Sequence, residues 1–226
     1  QLAHSFLMFT ATATKAHYID AQKAYEIVDS GLDQLIISVD GISQEVYEQY
    51  REQGTLEKVW QATEYLVAAK KARKRHTPRL IFQCLAVKPN EHEIPLLFER
   101  AKTFGVDEVR IKSAQLYDYE NGHPLMPDNP NYSRYVKKAN GKYVLKNPGG
   151  NSCWRMWSGS VITWDGKIVP CCFDKDAQNA LGALSEGSFR TIWKSDAYNA
   201  FRQSILTARN DIEICTNCSE GSKVWL

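Results

Sequence analysis

Cys153, Cys171, and the Cys215-Thr216-Asn217-Cys218 motif are the residues whose types and spacing most clearly specify chemistry. Four sulfurs in two groups, the second a C-x-x-C, match the ligand set of a four-thiolate centre, and both a zinc ion and an iron–sulfur cluster accept it. Twelve residues lie between Cys153 and Gly166, and four more lie between Gly166 and Cys171. That interval reads as a hairpin turning on Asp165-Gly166, where glycine supplies the positive φ of a two-residue turn. Its return strand brings Cys171 back beside Cys153.

An even count of six cysteines also raises disulfides. Those belong mainly to small secreted chains that lack core material, whereas this one has 226 residues with 43% hydrophobic content, so a metal or cluster is the expectation. A net charge of +2 is too mild to draw the chain to nucleic acid or an anionic membrane. No apolar run approaches the ~18–20 residues of a membrane span, and no signal peptide is visible at Gln1-Leu2-Ala3-His4. A soluble, cytoplasmic protein is expected.

Three regions are expected to position these residues. Residues 1–114 alternate strand and helix patterns. Strands are predicted at Ser5–Ala11, Leu35–Val39, Leu80–Val87 and Glu108–Ser113. Between them come a helix from Asp20 to Ser30, a short one after Ser43, a long one after Gly54-Thr55, and one capped by Asn90 with Ile94, Leu97, Phe98 and Ala101 inward. The long helix carries Leu56, Val59, Trp60, Thr63, Leu66 and Val67 on one face. This order predicts an α/β fold with a parallel sheet and helices on one side. About four strands cannot close a barrel. The chain opens on Gln1 and runs at once into Phe6-Leu7-Met8-Phe9, so one or two βα units are expected upstream. Residues 115–150 read as a linker with a small hairpin at Ala139–Lys142, and 151–226 as a small α+β cysteine-rich domain whose helices start at Ser188 and Ser195.

With those motifs in place, a family resemblance emerges. Gly31-Leu32-Asp33-Gln34-Leu35-Ile36-Ile37-Ser38-Val39-Asp40-Gly41, followed by Tyr47, Tyr50-Arg51 and Gly54, resembles the fourth barrel strand and following helix of radical S-adenosylmethionine (SAM) enzymes. The order Cys153, Asp165-Gly166, Pro170-Cys171-Cys172, Gly182, Ile192-Trp193, Arg202, Cys215-x-x-Cys218 resembles their C-terminal SPASM/twitch extension. The resemblance implies a partial parallel (βα) barrel followed by a SPASM/twitch domain, with Cys153, Cys171, Cys215 and Cys218 holding one auxiliary 4Fe-4S cluster. Zinc is the alternative occupant. It implies that Ser38 and Asp40 lie near SAM and that Arg51 pairs with its carboxylate. No residue is assigned as catalytic.

Two features depart from the family pattern. The Cys-x3-Cys-x2-Cys loop of the SAM-cleaving cluster is absent, so residues 1–226 are expected to be a catalytically silent C-terminal portion. No cysteine follows Cys218, as in the shorter single-cluster twitch form. For the intact enzyme the resemblance implies a second 4Fe-4S cluster, SAM, an electron donor such as flavodoxin or ferredoxin, a small-molecule or peptide substrate, and hydrogen abstraction by a 5′-deoxyadenosyl radical. The alternative is a non-catalytic iron–sulfur or zinc protein for electron transfer or binding.

Other residues receive plainer expectations. Cys84 belongs in an apolar strand as a core residue. Cys172 points away from Cys171 along the strand and is expected to be buried or packed behind the ligands. The basic run Lys70–His76 ends a helix, where cations suit the dipole, and is read as a solvated terminus in preference to an RNA-binding element.

Overall fold

A computed structural model describes residues 2–219. Its described residues divide into two compact units, 2–133 with 139–142, and 134–138 with 143–219.

The first unit is built on four parallel strands in the order β1 (Ala11–Thr14), β2 (Gln34–Ser38), β3 (Arg79–Ala86), β4 (Glu108–Ser113). Helix α1 (Leu2–Ser5) precedes β1. Helix α2 (Ala21–Asp29) joins β1 to β2, helices α3 (Gln44–Tyr50) and α4 (Leu56–Ala72) join β2 to β3, and α5 (Ile94–Phe104) joins β3 to β4. Local chemistry sets the boundaries: Asp20 accepts from Lys23 N at 2.7 Å, Ser43 caps α3, and Gly105 ends α5 in the left-handed region at φ 74°.

Alternation along the strands sorts the two faces of the sheet. Leu35 and Ile37 on β2, with Leu80, Phe82, Cys84 and Ala86 on β3, pack with Val28 of α2, Val59 and Leu66 of α4, and Ile94 and Leu97 of α5 into one core. Cys84 is 2% exposed there, as expected. Registers Ser38↔Gln83 and Gln83↔Arg110 place those three polar residues in one row on the opposite face.

Three local expectations are corrected. Phe6–Phe9 do not form strand. The Met8 N–H bonds to Ala3 O and the Leu7 N–H to His4 O, with Leu7 at φ 57°, so the segment closes the α1 helix end and β1 starts only at Ala11. Phe98 is 47% exposed instead of facing inward, because Ile94, Leu97 and Ala101 already fill the face of α5 toward the sheet. Asn90 does not cap a helix with its side chain. Its amide donates to the carbonyls of Asp40 and Leu85, and its oxygen accepts from Val87 N.

The second unit contains two antiparallel hairpins, β5 (Tyr135–Lys137) with β6 (Tyr143–Leu145) and β7 (Val161–Ile162) with β8 (Ile168–Val169). Gly166 turns the second at φ 82°. Around them lie α6 (Arg155–Ser158), α7 (Phe189–Trp193), α8 (Asp196–Ala208) and α9 (Glu213–Thr216), with Ser188 and Ser195 capping α7 and α8. Among the described residues no helix is long and apolar enough to cross a membrane.

Candidate metal centre

The structure brings the sequence-predicted cysteines to one neighbourhood of the second unit. Cys153 precedes α6, with Trp154 between them, Cys171 follows β8, Cys215 lies in α9 and Cys218 just beyond it. Cys153, Cys171 and Cys215 share an apolar cluster with Met156, Phe201, Ile205 and Ile212. Cys218 is 7% exposed, and its N–H bonds to Cys215 O at 3.2 Å. None of the six cysteines is in a disulfide.

Burial pushes the Cys171 thiol up to about 11, and negative charge on Cys172, Cys215 and Cys218 adds to the rise. Burial likewise raises Cys215, with Cys218 and Cys153 contributing, while the Arg209 guanidinium works in the opposite direction. Thiols gathered out of water and repelling one another's charge become thiolates only when a cation compensates them, so the donor set fits a thiolate-held zinc ion or iron–sulfur group alike. Among the described residues no group of three or more His, Cys, Asp or Glu is drawn together around a single metal-ion position.

The scaffold holds each cysteine by contacts that the spacing did not reveal. Asp174, 4% exposed, accepts from the N–H groups of Gln178 and Asn179 at 2.9 Å each and fixes the turn after Cys171. Asn217, inside the C-x-x-C, accepts at Oδ1 from the Tyr135 hydroxyl at 2.9 Å. Arg202 stacks over Trp193 and Tyr198 at 4.4 and 4.2 Å and donates to Met156 O at 3.0 Å, clamping α8 to the helix that follows Cys153. Gly182 lies at φ 148°, where a Cβ would stand 2.9 Å from Ile192 Cγ2. Cys172 departs from expectation. It is exposed, with its sulfur 3.7 Å from Arg155 Nη1, because the chain turns at Cys171 instead of continuing as strand.

The candidate SAM contacts lie at the C-terminal end of β2, the end of a parallel sheet where ligands bind. Ser38 is partly exposed on the polar face. Asp40 is 1% exposed, and its carboxylate accepts from Arg51 Nε at 2.6 Å and from Leu85 N at 2.7 Å. Arg51 is therefore engaged by Asp40 in the fold itself, and the contact is an internal brace distinct from a surface ion pair. His17, which the sequence did not flag, stands at the end of β1 with Nε2 3.1 Å from the Tyr47 hydroxyl. Burial lowers its pKa first, followed by the positive charge of Lys15, Lys58 and Arg51. Gln83 and Arg110, in line with Ser38, were also missed; polar residues alternating with apolar ones along β3 and β4 were the available signal.

Gly41 is set by packing. A Cβ there would stand 2.6 Å from Tyr47 N and 2.8 Å from Tyr47 Cα, backbone that cannot give way. Gly41→Ala is expected to destabilise the chain by ~2–3 kcal/mol, measured by urea unfolding; a loss within ~0.5 kcal/mol would show that the turn is slack.

Residues 153–219 match the SPASM family, described as an iron–sulfur cluster-binding domain. Two solved structures resemble the chain over nearly its whole length. One is anSMEcpe with bound AdoMet and the Kp18Cys peptide, at TM-score 0.56 and 15% identity, covering 94% of this chain and 65% of that one. The other is Streptococcus suis SuiB bound to S-adenosylmethionine, at TM-score 0.60 and 12% identity, covering 97% of this chain and 56% of that one. This chain thus spans less than two thirds of the length of either. At these identities the likeness establishes the fold.

Proposed function

With residues 153–219 a SPASM domain, preceded by an α/β fold like that of radical SAM enzymes of the SPASM type, we propose that the chain is the auxiliary-cluster portion of a radical SAM oxidoreductase of the cytoplasm. The observation that supports this reading is the grouping of Cys153, Cys171 and Cys215 in one apolar cluster of that domain, with Cys218 bonded through its N–H to Cys215 O.

On this reading the four thiolates hold one 4Fe-4S cluster, which when bound supplies one-electron transfer. Asp174, Asn217 and Arg202 hold the ligand-bearing segments in place. In the first unit the polar row Ser38, Gln83 and Arg110 faces the space where SAM and a small-molecule or peptide substrate would lie. There Asp40, braced by Arg51, fixes the end of β2 against β3. SAM cleavage requires a Cys-x3-Cys-x2-Cys loop that residues 1–226 do not contain, together with an electron donor of the flavodoxin or ferredoxin class.

Anaerobic reconstitution with iron and sulfide tests the reading. The chain is expected to take up about four irons and four sulfides. Stoichiometric zinc with no sulfide would favour a non-catalytic zinc module.

A further inference from the structure

Arg209 is one of the largest fully buried side chains, 1% exposed, in the short turn that links α8 to α9. A guanidinium keeps its charge under all ordinary conditions, so placing one out of water is costly unless it is bonded and faces negative charge. The bonds are present. Its Nη1 donates to Ser152 O at 2.6 Å and Gly150 O at 3.3 Å, and its backbone N–H donates to Asn151 Oδ1 at 3.2 Å. Its positive charge lowers the Cys215 thiol, against the rise that burial causes. The loop is shaped around it, since a Cβ on Gly149 would fall 2.0 Å from Nη1. One buried cation therefore grips the residue before Cys153 from the turn that leads into the helix carrying Cys215, two ligand positions 62 residues apart in sequence.

We propose that Arg209 is the charge partner of the thiolate centre, raising the reduction potential of the cluster held there. This rests on the cluster reading above. Reduction adds one electron to an already anionic group, and a buried cation beside it stabilises the more negative state. Arg209 acts through its charge and its hold on the loop before Cys153 and is a positioning residue.

The test is a dithionite titration, followed by electron paramagnetic resonance, of the reconstituted 226-residue chain and two variants. Arg209→Met keeps the length of the side chain and removes its charge. It is expected to lower the reduction constant at least tenfold, about 59 mV for a one-electron couple. Arg209→Lys keeps the charge without the planar fork and is expected to fall between Met and wild type. If the Met variant does not fold, the Lys variant decides. A midpoint equal to wild type in an iron-loaded variant would overturn the proposal. Loss of iron from both folded variants beside a loaded wild type would also overturn it, leaving Arg209 a scaffold residue. A wild-type chain that takes up no iron would instead sink the cluster reading itself.

Discussion

Cys215→Ala is expected to abolish stable cluster binding, with iron and sulfide falling to background after anaerobic reconstitution and desalting. Cys215 stands where α9 meets the apolar wall of Met156, Ile205 and Ile212. No other thiol can take its place. Cys84 belongs to the first unit, buried at 2% exposure in its sheet core, and burial holds its thiol far above the ordinary range. Cys84→Ala is therefore expected to retain full iron content and to lose only packing. Cys172 is the one nearby substitute, and its side chain is exposed on the outer side of the turn. A full complement of iron in Cys215→Ala would remove that residue from the ligand set.

Arg51→Ala is expected to cost ~3 kcal/mol of stability in urea unfolding, because it leaves a buried carboxylate without its cation. Asp40, 1% exposed in the fold, would keep the Leu85 N–H as a donor, at 2.7 Å, but lose its charge partner. Arg51 itself is 22% exposed at its side chain, so the loss should fall at or below the usual range for a fully buried pair. Arg51→Lys should recover part of it, since a point charge can approach Asp40 without reproducing the planar donor. A loss under ~1 kcal/mol would place Arg51 among surface ion pairs. If SAM affinity in a protein carrying the three-cysteine loop fell while stability held, Arg51 would be a direct ligand contact.

Most of the chemistry was legible because it is written locally. The Asp165-Gly166 turn and the serine caps at 43, 188 and 195 each depend on residues a few positions apart, and the structure places them accordingly. Alternation of strand and helix through residue 113 gave the parallel sheet by the same logic. What could not be read was partnership across the chain. Asp40 with Arg51, Tyr135 with Asn217, and Arg209 with the 149–152 loop join residues whose sequence surroundings carry no mark of each other. Phe6–Phe9 illustrate the converse, where an apolar, strand-like composition was overruled by backbone bonds closing a helix end. Cys172 was misplaced for a related reason: the strand assumed to carry it stops at Val169.

Mössbauer spectroscopy of the 226-residue chain reconstituted anaerobically with isotope-enriched iron tests the central claim most directly. The account predicts iron in sulfur-only tetrahedral sites with the electron sharing of a 4Fe-4S cluster, lost in Cys153→Ala, Cys171→Ala, Cys215→Ala and Cys218→Ala alike. Isolated high-spin iron on four thiolates, or iron bound through nitrogen and oxygen, would contradict it.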